Sequence, residues 1–476
     1  MVRSAAPTGL GVELSVRVAE KHRPDQDARI DAHVRVTAVA TGPRDRVPAV
    51  DIALVLAVDV APRRRDAAAA ALAAVMGALP DGISYTVLGG GDSRCYPLSG
   101  RWALAGPADR RRAAFSVGRI AAADGPPTGY AHRLATAREL FAERALPVRH
   151  LILVTDGGDR AAGDDPARPD SALNLELARC EDGFTADVIA PGADWDPAPL
   201  LAVAEGLHGT ATGSPDDFAP AATAALDRLR RVRSPELPIE VTVRPAVREV
   251  TLTETAPHQQ RLEPVPVPVP GGRAVAGGGR PRRLEFRTHR WEPESRDYLL
   301  GLRADASGDP LDVPLQLATV SVGGVIEPVV VRWLPSGDAA ATASPPGVAD
   351  RTVHTMNVST QMRTALHHGY AALDLERRER AEAQLGLAVR LATEIAADWV
   401  LDEVRRVARI VDGPQGQVRI GPTVDPGTVR QGLLSIASGH PVRLPGAPDG
   451  PAGRCPHCDH PAGTSALFCI ACGRRL

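Results

Sequence analysis

The spacing of apolar residues changes twice along this chain of 476 residues, and these changes limit the folds that it can adopt. Apolar and polar residues alternate over 12–18 and 30–36, apolar residues run without interruption over 52–58, and alternation returns over 237–333. Alternation is typical of strands with one buried face, whereas an uninterrupted short run is typical of a parallel strand buried on both faces. We therefore predict antiparallel β-structure on both sides of an α/β region.

Within the α/β region, short apolar runs alternate with helical patterns rich in alanine. This order predicts a doubly wound, Rossmann-like parallel sheet with helices on both faces. The expected strands are 52–58, 83–88, 150–154, 185–190 and 209–212, and the expected helices are 66–79, 109–122, one ending near 145, 172–181, 198–205 and 218–230.

The second alternating stretch predicts an antiparallel β-sandwich, interrupted by a proline- and glycine-rich loop over 264–283. The early strands have no evident sheet of their own, so the α/β domain is either inserted in this sandwich or followed by it. The predicted organisation is N-terminal β-strands (1–48), an α/β domain (49–231), a β-sandwich (237–335), a helical segment with a following strand (349–425), a linker (426–453) and a small metal-binding tail (454–476).

Composition excludes several classes of protein. The chain has 55 basic and 57 acidic residues, and this near-neutral balance provides no general attraction for nucleic acid or an anionic membrane. Lys21 is the only lysine, and its sequence context fits neither a P-loop nor a protein kinase. No Gly-x-Ser-x-Gly elbow follows a strand. We therefore expect a protein that is not an enzyme, and the absence of a signal or membrane-spanning apolar segment predicts a cytoplasmic location.

Four cysteines in the last 22 residues follow the pattern Cys-x2-Cys-x10-Cys-x2-Cys. Each Cys-x2-Cys pair can place two thiolates on one tetrahedral Zn²⁺, and so short a tail needs a metal to fold. The ending Phe-Cys-Ile-Ala-Cys-Gly-Arg-Arg-Leu resembles short zinc ribbons. Cys-Pro-His-Cys alone also fits a thiol–disulfide exchange motif, but no strand–helix unit surrounds it. The predicted structural zinc ligands are Cys455, Cys458, Cys469 and Cys472.

Three polar residues follow or precede elements at the same expected edge of the parallel sheet. Asp59 follows the first strand, Thr128 precedes a helix, and Asp156 follows the strand over 150–154. Together with the segments 188–196, 204–209 and 216–218, this order resembles the von Willebrand factor A domain over residues 49–231. The whole layout is similar to bacterial, especially actinobacterial, cytoplasmic proteins that carry such a domain.

The resemblance implies a metal-ion-dependent adhesion site, in which Mg²⁺ is bound by Asp-x-Ser-x-Ser, a threonine and a further aspartate. Here Asp59, Thr128 and Asp156 match, but Ala61 and Arg63 replace the serines. Alanine offers no oxygen ligand, and arginine repels a cation. We expect a degenerate site in which Arg63 contacts Asp59 or Asp156 in place of the ion. The alternatives are a residual Mg²⁺ site and aspartates that merely end strands or cap helices.

These observations favour a protein–protein interaction or scaffold module that binds a partner around Asp59, Arg63, Gly91, Thr128 and Asp156. With Arg63 in place of the metal, an acidic group of the partner is expected to bind it directly. The resemblance implies an ATPase or a stress-response complex as partner. The alternatives are a nucleic-acid-associated factor acting through the zinc ribbon and a residual Mg²⁺-dependent ligand-binding protein. The sequence predicts neither oligomeric state nor pathway.

Overall fold

The computed structural model describes residues 10–18, 21–22, 24–40, 50–89, 94–120, 128–157, 166–268, 281–334, 348–437, 453–454 and 461–462. The chain begins with β1 (Leu10–Val18), β2 (Lys21–His22) and β3 (Ala28–Ala40). β1 and β3 form an antiparallel pair. The alternation predicted for these segments is present in β3, whose even-numbered residues from Ile30 to Ala38 are buried.

The α/β domain follows, and its strands and helices alternate as predicted. A 3-10 turn over Pro62–Arg64 precedes the first helix, and another over Val117–Ile120 follows the second. The elements are β4 (Ile52–Asp59), α1 (Arg65–Ala78), β5 (Ser84–Leu88), β6 (Arg94–Tyr96), β7 (Ala103–Leu104), α2 (Pro107–Ser116), α3 (Tyr130–Glu143), β8 (Val148–Thr155), α4 (Ala172–Cys180), β9 (Thr185–Pro191), α5 (Pro197–Gly206), β10 (Ala211–Ser214) and α6 (Ala219–Arg231).

The sheet of this domain has the order β10-β9-β8-β4-β5-β6, with β7 also paired to β5. Neighbours from β10 to β5 are parallel, whereas β6 and β7 are antiparallel to β5. Successive residues of β4 contribute to opposite cores: Leu54 and Leu56 pack with α1 and α6, while Val55 and Ala57 pack with α3 and α5. Burial on both faces explains why this strand has no polar alternation.

The described residues of the second β-region form ten strands. Its elements are β11 (Ser234–Glu236), β12 (Ile239–Val243), β13 (Val247–Ala256), β14 (Gln260–Leu262), β15 (Pro264–Val267), β16 (Arg282–Phe286), β17 (His289–Trp291), β18 (Ser295–Ala304), β19 (Pro314–Val322) and β20 (Val325–Trp333). Together with the N-terminal strands they form sheets of order β1-β3-β18-β13-β14 and β15-β16-β12-β19-β20-β2, and β11 pairs with β17. One buried core joins the two large sheets, with Trp291 and Trp333 among its largest side chains.

β3 lies beside β18, with Val34 opposite Tyr298. Strands from before and after the α/β domain therefore share one sheet, and the α/β domain is inserted between them in sequence. The predicted loop over 264–283 is wrong at its two ends. Its first residues form β15 (Pro264–Val267), its last residues begin β16 at Arg282, and these two strands pair with each other. β15 is the terminal strand of its sheet, a position that tolerates the missing N–H groups of proline.

The helical segment contains α7 (Val348–Asp374), α8 (Arg378–Glu394), α9 (Asp398–Arg405), the hairpin of β21 (Ala408–Asp412) and β22 (Gln417–Ile420), and α10 (Pro426–Ala437). These elements share a core that includes Tyr370, Leu385 and Val400. Two short paired strands follow, β23 (Gly453–Arg454) and β24 (Pro461–Ala462). In the part of the chain described, no helix is long and apolar enough to cross a membrane.

The predicted linker over 426–453 is wrong for residues 426–437, which form α10. Asp425 accepts an N–H bond from Thr428 at 2.8 Å and Pro426 begins the helix, a favourable start. Val429 and Leu433 pack in the helical core, whereas Leu434 packs in the core of the α/β domain. The two glycines of this helix lower its intrinsic propensity, and packing against two cores compensates for them.

Candidate functional site

The carboxyl ends of β4 and β8 bring the predicted polar residues to one edge of the α/β sheet. Asp59 ends β4 and lies opposite Thr155, the last residue of β8, so Asp156 follows at the same edge. Thr128 lies two residues before Tyr130, the first residue of α3. We call this edge the rim and define it by Asp59, Thr128, Asp156 and the arginines that contact or flank them. Ligands of open α/β sheets bind at such an edge.

Asp59 is buried and has a full set of hydrogen-bond donors. Its Oδ2 accepts bonds from the backbone N–H of Thr128 and of Gly129, both at 3.1 Å. The Thr128 hydroxyl donates to the same oxygen at 3.3 Å. An Arg133 Nη2 donates to Oδ1 at 3.1 Å and to the Gly89 carbonyl at 2.6 Å. The side chains of Asp59 and Arg133 are each only 2% exposed, so they form a buried ion pair.

Asp156 is the second buried carboxylate of the rim and also faces an arginine. The backbone N–H of Ala61 donates to its two oxygens at 3.1 and 3.2 Å. The Nε of Arg64 lies 3.1 Å from its Oδ2. The Arg64 side chain is 12% exposed and also pairs with Asp216 at the surface. Both rim aspartates therefore have an arginine as counter-ion.

The expected role of Arg63 is wrong, because the neighbouring arginine makes the contact instead. Arg63 is 65% exposed and its Nη2 lies 3.2 Å from the surface residue Asp194. Both arginines belong to the 3-10 turn that begins at Pro62. Successive residues of a 3-10 helix point about 120° apart. One arginine of the pair consequently faces solvent while the next faces the sheet.

Gly192, after β9, makes room for the Arg64 guanidinium. A Cβ at this position would lie 2.4 Å from both terminal nitrogens of Arg64, and the glycine has a φ of +81°. A side chain here would therefore displace the guanidinium and strain the backbone. The rim depends on a backbone feature that the spacing of aspartates did not indicate.

Sequence reasoning missed Arg64 and Arg133. Arg133 had a detectable signal, because it lies on the buried face of α3 with Leu134 and Ala137. A charged residue on an apolar face requires a buried partner. Gly91 and the predicted zinc ligands Cys455, Cys458, Cys469 and Cys472 lie outside the described residues.

A second buried charge cluster joins the α/β domain to the sandwich. Asp187 of β9 lies 3.2 Å from Arg228 of α6 and 3.3 Å from Arg290 of β17. Burial by itself raises the pKa of Asp187, but Arg290, His150 and Arg228 hold it well below its usual range. Burial lowers the pKa of His150. Asp187 therefore forms buried ion pairs that link the α/β domain to the sandwich, and it does not belong to the rim.

Comparison with known proteins agrees with the fold and defines its class. Residues 52–212 match the family described as von Willebrand factor type A domain. The chain is thus a protein that contains this domain, with the rim at the edge where the sequence resemblance implied an adhesion site. A search of curated proteins finds no match.

Solved structures extend the likeness beyond this domain. A von Willebrand factor type A protein from Catenulispora acidiphila is 21% identical, with a TM-score of 0.74 over 91% of this chain and 98% of that one. The ArnB paralog VWA2 from Sulfolobus acidocaldarius is 13% identical, with a TM-score of 0.50 over 91% of this chain and 100% of that one. Both likenesses concern the fold, and they cover the sandwich as well as the α/β domain.

Proposed function

We propose that this chain is a non-enzymatic protein-interaction module that binds its partner at the rim without a metal ion. Von Willebrand factor A domains commonly mediate protein interactions. The observation that carries the proposal is the pairing of Asp59 with Arg133 and of Asp156 with Arg64. Each carboxylate has its own guanidinium group as counter-ion, so arginines supply the positive charge that a divalent cation would otherwise supply.

The residues at the rim do not fit Mg²⁺. A hard cation needs about six oxygen ligands, and Ala61 supplies none where the family motif has a serine. Asp59 already accepts bonds from three donor residues, and Asp156 accepts from Ala61 and faces Arg64. A metal would have to displace both arginines and meet their positive charge. Partner binding at the rim accordingly uses no Mg²⁺.

Arg63 is the rim residue best placed to meet a partner. Its guanidinium is mostly exposed and is held at 3.2 Å by a single surface carboxylate, Asp194, which is itself 70% exposed. Exposed pairs of this kind contribute little stability and exchange readily. An acidic side chain of a partner can therefore replace Asp194 and form a bidentate pair with Arg63.

The remaining parts of the proposal concern the chain as a whole. The four tail cysteines bind one structural Zn²⁺ as a small ribbon, and the protein acts in the cytoplasm, where these thiols stay reduced. An ATPase or a stress-response complex is the proposed type of partner. The resemblance to bacterial von Willebrand factor A proteins implies this class of partner.

Charge reversal at Arg63 tests the proposed binding surface. The full-length chain is used as bait in quantitative pull-downs from a lysate of the organism that encodes it, with and without EDTA. We expect Arg63→Glu to reduce capture of the specific partners about tenfold or more, since a desolvated charged contact becomes repulsive. EDTA is expected to leave capture by the wild-type chain unchanged.

Arg112→Glu is the matched control, because Arg112 of α2 is 73% exposed and lies outside the rim. This variant should retain the wild-type partners. If Arg63→Glu captures the same partners in the same amounts, the rim is not the binding surface. Loss of capture with EDTA that is restored by added Mg²⁺ but not by Zn²⁺ would contradict a metal-independent rim.

Metal analysis tests the proposed zinc ion and the proposed lack of Mg²⁺ binding. We expect one zinc per purified chain, lost in the Cys455→Ser/Cys458→Ser variant, because two thiolates cannot replace four. Calorimetric titration with Mg²⁺ or Mn²⁺ should give no saturable heat. The variant Ala61→Ser/Arg63→Ser should behave in the same way, since Arg64 and Arg133 remain on the aspartates.

Asp59→Ala provides the control for the titration. Micromolar Mg²⁺ binding by the wild-type chain that disappears in this variant would show that the aspartates hold a metal after all. Zinc-free wild-type protein would contradict the proposed ribbon without affecting the proposal for the rim.

A further inference from the structure

A cavity lies where the α/β domain, the sandwich and the helical segment meet, and we call it the junction cavity. Its volume is about 250 Å³. Leu201 and Thr210 line it from the α/β domain, Gln260 from the sandwich, and Arg363, His367 and Ile436 from the helical segment. It is separate from the rim, which none of these residues contacts in the described part of the chain.

Arg363 is the unusual residue of this wall. It is 3% exposed, and its Nε, Nη1 and Nη2 all lack a hydrogen-bond partner. Among the described arginines, Arg363 alone has all three side-chain nitrogens buried without a hydrogen-bond partner. Burial lowers the pKa of Arg363 to about 10, and no carboxylate of the described residues offsets this effect. Such a group is costly, since buried charges are normally paired.

Other buried arginines of the same chain show how the fold satisfies such a group. Arg133 donates to Asp59 and to a carbonyl at the rim. Arg296 lies over the Trp291 ring and also bonds to Glu294. Arg363 has only a contact with an aromatic ring: its guanidinium carbon lies 5.0 Å from the centre of the Trp399 ring. An aromatic face attracts the charge but accepts none of the in-plane N–H bonds.

The chemistry of the other wall residues limits what can occupy the cavity. Gln260 and His367 contribute neutral polar side chains, while Leu201 and Ile436 offer apolar surface. The Thr210 hydroxyl already donates to Asp187, and the Gln260 Nε2 donates to the Glu205 carbonyl. Glu205 is the acidic residue among those lining the cavity, and it is exposed. The wall therefore presents one buried cation and an apolar side, without a buried anion among the described lining residues.

We propose that the junction cavity binds a small organic anion, whose carboxylate or phosphate group accepts hydrogen bonds from the Arg363 guanidinium and whose apolar part lies against Leu201 and Ile436. The planar guanidinium suits bidentate pairing with such a group. The Arg363 side chain is buried, and a low local dielectric strengthens the pairing. Because the anion contacts the helical segment through Arg363 and Ile436 and the α/β domain through Leu201, its binding stabilises the arrangement of these two units.

The proposal is tested by anion binding to the full-length chain at constant ionic strength. Butyrate, acetate and inorganic phosphate are the probes, with chloride as the balancing salt. Calorimetry and thermal unfolding are expected to show saturable binding of butyrate or phosphate. A preference for butyrate over acetate identifies a carboxylate with an apolar tail, whereas a preference for phosphate identifies a phosphate group.

Arg363→Met is expected to weaken binding of the preferred anion at least about tenfold, and its unfolding temperature without anion should equal or exceed that of the wild type, because an uncompensated charge has been removed. Arg380→Met is the matched control on an exposed part of α8, and it should bind like the wild type. Arg363→Lys keeps the charge but loses the planar fork, so it should bind more weakly than the wild type.

The proposal is overturned if the wild-type chain binds none of the three anions saturably, or if Arg363→Met binds them as the wild type does. Should Arg363→Met fail to fold, Arg363→Lys decides: unchanged binding overturns the proposal and weakened binding supports it. None of these results depends on binding of a protein partner at the rim.

Discussion

Replacement of Arg133 by methionine is expected to lower the free energy of unfolding by about 3–5 kcal/mol, the usual cost of breaking a buried ion pair from one side. The methionine fills much of the same space, so the loss of stability comes mainly from the Asp59 carboxylate, which is left without its charged partner. That carboxylate would remain buried with the N–H groups of Thr128 and Gly129 but without a counter-charge. Urea denaturation of the full-length chain measures the effect.

A double-variant cycle separates the ion pair from general packing. In Asp59→Asn/Arg133→Met both charges are absent, so the loss should be smaller than the sum of the two single losses by at least about 1 kcal/mol. Arg101→Met is the control for loss of an exposed arginine, since Arg101 and Glu143 are 54% and 46% exposed. It should cost at most about 1 kcal/mol. Additive losses in the cycle would contradict the assigned pair.

Replacement of Gly432 by alanine is expected to cost about 3 kcal/mol, at the upper end of the range for overpacking a core. A Cβ on Gly432 would lie 2.1 Å from Cε1 of Tyr370. That ring is fully buried, and its hydroxyl donates to the Glu403 carbonyl at 2.8 Å, so it cannot move aside without breaking this bond. The expected result is partial release of α10 from α7. Urea denaturation and hydrogen exchange of the α10 amides measure it.

Gly77→Ala is the matched control, because Gly77 lies in α1 with open space around the position of a Cβ. There the same substitution should stabilise the chain by roughly 0.5–1 kcal/mol through higher helix propensity. If Gly432→Ala behaves like Gly77→Ala, α10 does not pack on Tyr370 as described.

The position of the rim could be predicted from the sequence, but its charge pairing could not. Residues that follow parallel strands must meet at one sheet edge, and this brought Asp59 and Asp156 together. The partner of each aspartate depends on side-chain direction. A single step along the 3-10 turn separates the exposed Arg63 from the buried Arg64. Neither composition nor motif spacing predicts which of these two side chains points toward the sheet.

The same contrast holds for the helical segment. The Asp-Pro start of α10 and its apolar spacing were present in the sequence, but two glycines made the segment resemble a linker. Its helix is stabilised by the cores of two different domains, to which Leu433 and Leu434 contribute separately. Local helix propensity does not include the stabilisation that comes from packing against distant parts of the chain.

The sequence by itself determined the layers of this protein, because hydrophobic period distinguishes a strand buried on both faces from one buried on a single face. It also determined which carboxylates reach the rim. Only the tertiary structure decided that β3 pairs with β18, that Arg133 neutralises Asp59, and that Arg363 is enclosed without an acceptor. These features depend on where elements far apart in sequence pack, and on which way a side chain points once they have done so.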